Sequence, residues 1–315
     1  MKSLRVIIKI LAVIIGIYLL GLLVFYAFYG DSQYTSPQDL EESQQGYFAS
    51  LSTGQIFYRD QGLGEKIILL HGFGASSRNF EGLTEHLSEN YRVYALDFPG
   101  FGLSSKQADD QNNFAGQVKT VIEFMDYQNI NQAYLIGHSM GGAVAAQVAA
   151  DYPERVNKLV LLDTAGFGQH QGPYQFLKYL VPPIDRLITR MFVFNNSFIT
   201  KAVELAYYDN ELVDKDIVQD YLLPTKTKRA DRTYIQKIRE GIVPDISEEF
   251  AQIQAPTLIL WGREDAIVDS LILTELNNLI EGSQAYYIEA SGHVPHEENT
   301  EATANLIEQF IASLL

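Results

Sequence analysis

A serine flanked by glycines, between a segment typical of a strand and one typical of a helix, is the feature that most limits how this chain folds. Ser139 stands in the run Gly-His-Ser-Met-Gly, after the apolar residues 133–136 and before the small residues 142–146. A turn that pushes the Ser139 hydroxyl clear of a sheet crowds the backbone around it, and only glycine, here Gly137 and Gly141, relieves the clash. The pattern predicts a nucleophile elbow.

The partners of such a serine are an acid after a later strand and a histidine near the C-terminus. Residues 257–261 predict a buried parallel strand, and Asp265 lies in the loop that follows it. Residues 284–288 predict the next strand, and its following loop ends in His293. We predict that His293 takes the proton of Ser139 as the hydroxyl attacks a carbonyl, while Asp265 orients the imidazole.

Other residues compete for both of these roles. Asp163 ends the strand predicted at residues 158–162 and is an alternative acid, and Glu264 and Asp269 are acidic residues close to Asp265. His296, three residues after His293, is the alternative base. The Ser-Gly-His sequence after a strand favours His293.

A tetrahedral intermediate also needs hydrogen-bond donors for its oxyanion. The predicted strand 66–70 is followed by the glycine-rich sequence His71, Gly72, Phe73 and Gly74, whose backbone can bend to present the Phe73 N–H. The Met140 N–H, at the start of the elbow helix, is the second predicted donor.

Taken together, these motifs resemble those of the α/β-hydrolases, the large group of esterases, lipases and C–C bond hydrolases. The resemblance covers about residues 45–315, and its motifs occur in the family's order at residues 71–74, 97–104, 137–142, 262–268 and 291–297. It implies an α/β fold with a mostly parallel eight-stranded sheet, flanked by helices and carrying a helical cap. It also implies that five residues support the site motifs: His71, Gly72, Gly74, Gly137 and Gly141.

Departures from particular subfamilies bear on the substrate. Epoxide hydrolases and haloalkane dehalogenases carry an aspartate at the position of Ser139. The C–C hydrolases usually carry a tryptophan where this chain has Val294, and a Ser-Gly-x-x-Asn-like sequence where residues 75–80 read Ala-Ser-Ser-Arg-Asn-Phe. We therefore expect a serine hydrolase that cleaves carboxylic esters with an apolar acyl or alcohol group through an acyl-enzyme. Hydrolytic cleavage of a vinylogous β-diketone and a non-catalytic binding or scaffold role are the alternatives.

The N-terminus differs from the rest of the chain. Residues 10–30 form an uncharged run of 21 residues, which as a helix spans about 31 Å and matches the roughly 30 Å hydrocarbon core of a bilayer. Lys2, Arg5 and Lys9 precede the run, so the positive-inside rule predicts a cytoplasmic N-terminus and an extracytoplasmic catalytic domain. The alternative is a cleaved signal peptide and secretion, but such peptides end in small residues, whereas residues 25–29 are Phe-Tyr-Ala-Phe-Tyr.

The remaining organisation follows from spacing. About 90 residues separate the strands ending at 162 and beginning at 257, far more than one crossover needs. We predict a membrane anchor at 1–30, a polar tether at 31–44, a hydrolase core at 45–167 and 246–315, and a helical cap at 168–245. Most cap aromatics are expected to pack the cap on the core, and a minority to line an apolar substrate cavity.

The amino-acid composition limits the classes of molecule that this protein can bind. The net charge of −16 excludes nucleic acid and favours a neutral small-molecule ester as substrate. The chain has no cysteine, so it forms no disulfide. It shows no metal-ligand spacing, dinucleotide fingerprint or P-loop, and we expect neither a metal nor a cofactor. The sequence leaves the oligomeric state open.

Overall fold

The structure is a computed structural model that describes residues 2–29, 34–40, 45–106, 112–168 and 179–313, with side chains at all of them except 2, 3 and 26–29. Of the predicted tether, residues 34–40 are therefore described. The cap residues 169–178, which include three of the aromatic and aliphatic residues expected to pack the cap, lie outside the described residues.

Eight strands form one sheet, with these bounds: β1 Tyr47–Leu51, β2 Gly54–Gln61, β3 Lys66–Leu70, β4 Arg92–Leu96, β5 Ala133–His138, β6 Val156–Leu162, β7 Thr257–Gly262 and β8 Gln284–Ile288. Their order across the sheet is β1-β2-β4-β3-β5-β6-β7-β8. β2 pairs antiparallel with β1 and β4, and the other neighbouring strands are parallel. The predicted mostly parallel eight-stranded sheet is confirmed.

The described α-helices are α1 Lys2–Tyr29, α2 Glu81–Leu87, α3 Phe114–Tyr127, α4 Met140–Asp151, α5 Ile184–Ile188, α6 Asn196–Ala206, α7 Lys215–Leu222, α8 Ala230–Glu240, α9 Ser247–Phe250, α10 Ile272–Leu279, α11 Pro295–Glu298 and α12 Thr300–Ala312. A π-helical turn at Thr189–Val193 continues α5.

Helices cover both faces of the sheet, which explains why its central strands are almost wholly apolar. Leu135 of β5 and Ile259 of β7 pack with residues of α3, α4, α9 and α10. Their chain neighbours Ile136 and Leu260 point to the opposite face and pack with α2 and α12, because successive side chains of a strand alternate between faces.

The carboxyl ends of the parallel strands meet at one edge of the sheet. The loop of residues 71–74, predicted to bind the oxyanion, follows β3, Ser139 follows β5, and the loops with Asp265 and His293 follow β7 and β8. The sheet order places β3, β5, β6, β7 and β8 side by side. Segments that are up to 220 residues apart in the chain, from about residue 73 to 293, are therefore brought to the same edge.

Helices α5 to α8 lie in the insertion between β6 and β7, as expected of a helical cap. Val203 of α6 and Tyr207, the residue after this helix, pack on Val294 of the core. On the other side of the cap, Tyr234 and the buried Val193 and Ile238 pack with Phe73. We keep residues 168–245 as the proposed cap, since both of these contacts join that segment to the core around the predicted site.

Helix α1 is, within the described part of the chain, a helix long and apolar enough to cross a membrane, over Leu4–Phe25. Residues 4–20 are exposed, whereas Phe25 is buried. The Tyr18 hydroxyl donates to the carbonyl of Pro182 (3.0 Å), and the Phe25 ring lies against Arg186, so α1 contacts the cap between Tyr18 and Phe25.

Candidate active site

The predicted nucleophile stands at a strained corner of the backbone. Ser139 lies between β5 and α4 with φ 50° and ψ −115°, a region that residues with a side chain rarely adopt. A Cβ at Gly137 would lie 2.3 Å from the carbonyl oxygen of Gly141, and a Cβ at Gly141 would lie 2.1 Å from that of Leu70. The steric need for both glycines, expected from the sequence, is present in the structure.

His293 and Asp265 form a buried hydrogen-bonded pair. His293 Nδ1 lies 2.8 Å from Asp265 Oδ2, and the two side chains are 7% and 0% exposed. The other carboxylate oxygen, Oδ1, accepts the backbone N–H groups of Ile267 (2.7 Å) and Val268 (3.0 Å). Because ionised Asp265 accepts from Nδ1–H, the imidazole presents Nε2 as its free acceptor. Ser139 and His293 line the same cavity.

The loop after β3 lies directly against the elbow. A Cβ at Gly72 would lie 2.9 Å from His138 Nδ1 and 3.2 Å from Ser139 Cβ, so only glycine allows this approach. Gly74 has φ 78°, which also favours glycine, and Phe73 between them lines the cavity.

Met140 is the first residue of α4, where amide groups have no partner within the helix. The Phe73 and Met140 N–H groups thus stand on the two segments that adjoin Ser139, as the oxyanion prediction requires.

Two buried histidines support these loops. His71 Nδ1 donates to the Gly72 carbonyl (2.7 Å), and His71 Nε2 accepts the Phe98 N–H (3.0 Å). Burial lowers the pKa of His71, which favours this neutral form. His138 Nε2 donates to the carbonyl of His293 (2.7 Å), and burial lowers its pKa well below the ordinary value. Both rings therefore act as neutral braces.

The competing residues have other contacts. Glu264 accepts the Ser291 N–H (3.0 Å), and Asp269 accepts the Leu271 N–H (3.0 Å). His296 is 1% exposed and packs against the rings of Phe80 and His138. Burial lowers the pKa of His296 to about 3, so this ring is neutral. Among these alternatives, the geometry favours His293 as the base.

Asp163 is close to the pair, but its environment differs from that of Asp265. It is 0% exposed, and its Oδ1 accepts the Gly262 N–H (2.8 Å). Ligand atoms of Asp163, Asp265 and His293 lie within 4.8 Å of one another. Burial, and then the charge of Asp265, raise the pKa of Asp163 well above its usual range. We infer that Asp163 is protonated beside an ionised Asp265, since two carboxylates this close and buried do not both ionise.

Two glutamates that the sequence did not single out join the His293 loop to the cap. Glu298 accepts the N–H groups of Gly292 (2.7 Å) on the loop and of Tyr208 (2.7 Å) and Asp209 (3.1 Å) on the cap. The His293 N–H itself donates to the carbonyl of a cap residue, Ala206 (2.7 Å). Backbone groups of the cap therefore hold the loop that carries His293.

Glu297 makes a second link to the cap. It accepts the hydroxyls of Tyr207 (2.9 Å) and Tyr221 (2.6 Å) and the amide of Asn79. Burial raises the pKa of Glu297 to about 7. Glu297 ends one of the family-like motifs, but no periodicity or spacing relates it to tyrosines that lie 76 and 90 residues earlier in the chain.

The cavity above Ser139 has a volume of about 740 Å³. Its walls are mostly apolar and come from both cap and core, with these members among others: Phe73, Phe101, Phe194, Ile199, Val203 and Tyr234. Lys106 also borders it, but its ammonium donates to the carbonyls of Gly102 (2.6 Å) and Ser104 (3.3 Å). Burial lowers the pKa of Lys106 to about 7. The cavity thus suits an apolar group beside the serine.

Both the strand order and the elbow after the central strand β5 are those of the α/β class of hydrolases. The chain belongs to this family, because the family model for the alpha/beta hydrolase fold matches residues 66–300. The resemblance inferred from the motifs is confirmed.

Particular relatives act on different substrates. A 2-hydroxy-6-oxononadienedioate/2-hydroxy-6-oxononatrienedioate hydrolase of Escherichia coli is 31% identical over 278 residues, covering 82% of this chain and 92% of that protein. YugF, an uncharacterised hydrolase of Bacillus subtilis, is 28% identical over 78% of this chain and 90% of its own length. The solved structure of a membrane phospholipase A, a bacterial virulence factor, is similar with a TM-score of 0.71 and 26% identity, covering 99% of this chain and 98% of that one.

Proposed function

We propose that this protein is a membrane-anchored serine hydrolase that cleaves carboxylic esters with an apolar acyl or alcohol group. The observation that carries the proposal is the position of Ser139, on a strained elbow that opens into the same cavity as His293. The Nδ1 atom of His293 is held by Asp265. This arrangement suits acyl transfer, which needs a nucleophile, a base and an acid that orients the base.

The reaction proceeds in two steps. His293 Nε2 takes the proton of Ser139 as Oγ attacks the ester carbonyl, and the N–H groups of Phe73 and Met140 stabilise the oxyanion. The imidazolium then protonates the leaving alkoxide, and the acyl group remains on Ser139. In the second step His293 deprotonates a water that attacks the acyl-enzyme, and the acid is released as Ser139 regains its proton.

The proposed substrate is a lipid ester. The mostly apolar cavity of about 740 Å³ has room for an acyl chain, and the similar membrane phospholipase A matches 99% of this chain, including the N-terminal helix. Each methylene buried in such a cavity adds about 0.8 kcal/mol, roughly fourfold in kcat/KM, until the cavity is full.

The membrane part of the proposal depends on α1. The helix is apolar over Leu4–Phe25, and cations precede the uncharged run, so the N-terminus is placed in the cytoplasm and the catalytic domain outside. Secretion after signal cleavage is the alternative. It is disfavoured by the contacts of Tyr18 and Phe25 with the cap, which cleavage would remove.

A second candidate function is hydrolysis of a C–C bond in a vinylogous β-diketone. The observation that favours it is the 31% identity to the Escherichia coli hydrolase over 92% of that protein. Val294, at the position where C–C hydrolases usually have tryptophan, disfavours it.

The test combines labelling with kinetics. We expect a fluorophosphonate to label Ser139, and Ser139→Ala to lower kcat by at least ~10⁴-fold in a folded protein. His293→Ala should cause a similar loss, and the double variant should be hardly worse, because the residues act as a unit. Fully multiplicative losses, or labelling that survives Ser139→Ala, would reject the triad.

Substrate class is tested on the wild-type protein. p-Nitrophenyl esters of increasing chain length are compared with a vinylogous β-diketone in the same buffer and detergent. Turnover of esters alone supports the proposal, turnover of the diketone alone supports the second candidate, and no turnover of either supports a non-catalytic role.

A further inference from the structure

The cap packs along one side of the apolar helix α1. Besides the Tyr18–Pro182 hydrogen bond (3.0 Å), the Phe25 ring, 1% exposed, lies 4.7 Å from the guanidinium of Arg186 and 5.1 Å from that of Arg190. Tyr18 and Phe25 lie seven residues, or two turns, apart on one face of the helix. The cap therefore contacts α1 along two turns, from Tyr18 to Phe25.

A second contact holds the segment after the helix. The Thr35 N–H donates to the carbonyl of Lys226 (3.3 Å), and the Lys228 N–H donates to that of Thr35 (3.2 Å). Part of the predicted tether is thus paired with the cap. The cap is consequently held to the chain by contacts of α1 before residues 30–33 and by the Thr35 hydrogen bonds after them.

The length of uncovered helix limits where the membrane surface lies. The contacts described above between α1 and the cap begin at Tyr18 and lie on one face of the helix. The 14 residues before it, Leu4 to Ile17, span about 21 Å at 1.5 Å per residue. The hydrocarbon core of a bilayer is about 30 Å thick. For α1 to cross it, about 9 Å of the cap-covered part must also lie in hydrocarbon, and the cap residues beside Tyr18 must lie there with it.

The cap surface next to α1 has the composition that such a position requires. Over residues 179–198 its most exposed large side chains are Tyr179 (77%), Val181 (60%), Phe192 (59%) and Met191 (39%); we call these four residues the apolar cap face.

The three charged residues of the same segment form ion pairs with α8. Asp185 pairs with Arg239 (2.7 Å), while Arg186 (2.5 Å) and Arg190 (3.0 Å) pair with Asp231, which is 1% exposed. The charged groups of this segment, which would be costly in lipid, are thereby ion-paired within the cap.

We propose that the apolar cap face is immersed in the outer leaflet of the membrane that α1 spans, so that the cavity receives its substrate from the lipid layer. The inference rests on the membrane anchor of the proposed function. Phe194, two residues after Phe192, forms part of the cavity wall together with Tyr234. Only one turn of the cap therefore separates the immersed face from the cavity.

Site-directed labelling tests the immersion. Since the chain has no cysteine, the variants Val181→Cys, Ile14→Cys and Leu63→Cys of the full-length protein each carry a single environment-sensitive nitrobenzoxadiazole label. Leu63, 80% exposed and outside the cap, is the aqueous control, and Ile14 reports on the anchor. In phosphatidylcholine vesicles we expect the labels at 181 and 14 to resist aqueous iodide and to be quenched by acyl-chain nitroxide lipids. The label at 63 should show the reverse.

The other outcomes are distinguishable. A label at 14 in lipid with a label at 181 in water would overturn the immersion and leave the anchor intact. Labels at both positions in water would overturn the anchor and the inference together. A label at 181 shielded from both quenchers would mean that protein, such as a second copy of the chain, covers the face, and would also overturn the inference.

A charge on the face tests its role in substrate supply. Val181→Asp should lower kcat/KM for an ester embedded in vesicles by roughly tenfold or more, because a charge is costly in the bilayer. Turnover of soluble p-nitrophenyl butyrate by the same preparation should be unchanged, and Leu63→Asp should alter neither activity. Equal activity of Val181→Asp and wild type on vesicles would overturn delivery from the lipid layer.

Discussion

Substitution of Asp163 by asparagine tests whether the buried carboxyl group of Asp163, which lies beside Asp265, is neutral. Asp163 is 0% exposed and accepts one backbone N–H, from Gly262 (2.8 Å), whereas Asp265 accepts two backbone N–H groups and the imidazole N–H of His293. The negative charge is therefore better stabilised on Asp265. Asparagine keeps the shape and the neutral state that we infer for position 163.

The magnitude follows from proton linkage. Burial, and then the charge of Asp265, raise the pKa of Asp163 in the folded protein, while the unfolded value is about 3.9. Above pH ~4 the unfolded chain has lost this proton and the folded one retains it, so stability falls as pH rises, by about 1.4 kcal/mol per pH unit. The loss of stability continues until the pH reaches the folded-state pKa of Asp163, which burial places well above its ordinary value.

Asp163→Asn removes this dependence. We expect the free energy of unfolding of the variant, minus that of wild type, to increase as the pH rises above about 4, by up to about 1.4 kcal/mol per pH unit. Denaturant unfolding of both proteins in the same detergent, at several pH values, measures it. The kcat of Asp163→Asn should stay within about threefold of wild type, whereas Asp265→Asn should lose roughly 10⁴-fold because it holds the wrong tautomer of His293.

Two results would refute this reasoning. A stability difference that does not change with pH would mean that Asp163 is ionised in the folded protein. A loss of kcat near 10⁴-fold in Asp163→Asn would make Asp163, rather than Asp265, the acid that orients His293. Asp163→Ala is the control, because it removes the volume of the side chain and leaves the Gly262 N–H without its acceptor, whereas asparagine keeps both.

Three further predictions concern the elbow, the cap and the membrane. Gly137→Ala should cost about 3 kcal/mol or more and abolish the folded yield, because the new Cβ would lie 2.3 Å from the Gly141 carbonyl oxygen; a folded, active variant would contradict this. Tyr221→Phe should lower the free energy of unfolding by about 1.5–3 kcal/mol at pH 8. The loss should be smaller at pH 5.5, where Glu297, with its pKa of about 7, is neutral. Equal losses at the two pH values would contradict the ionisation of Glu297 between them. Protease added to cells with an intact cytoplasmic membrane should digest the catalytic domain and leave a membrane-bound N-terminal fragment, and full protection would reverse the proposed topology.

Much of the site was predictable because its signals are local. The elbow depends on a strand, two glycines and a helix that are contiguous in the chain, and the steric reason for Gly137 and Gly141 holds in any fold that contains this corner. Asp265 and His293 were found from their positions after consecutive strands, and the structure joins them at 2.8 Å. Their catalytic roles remain predictions that the variants above test.

The sequence was less informative about aromatic residues, because such a residue suits both a membrane interface and a buried position in the protein. Phe25 belongs to a cluster that fits the aromatic belt of a membrane interface, yet its ring is buried against Arg186 and Arg190 of the cap. The composition of α1 predicts that it is apolar enough for lipid. It does not predict which face of the helix contacts protein, because the partner lies about 160 residues away in the chain.

By itself, therefore, the sequence determined the fold class, the order of the site motifs and the apolar helix, since each depends on short-range sterics or hydrophobic periodicity. The sequence predicted Asp265 as the partner of the imidazole but left Asp163 as an alternative, and the structure places Asp265 against the ring. The tertiary structure alone decided how Glu297 and Glu298 join the His293 loop to the cap, and how the cap lies along α1. These contacts join residues of different segments, whose approach depends on how the whole core packs. Burial at those contacts then changes the pKa of groups such as Asp163 and Glu297, which no pattern of neighbouring residues reveals.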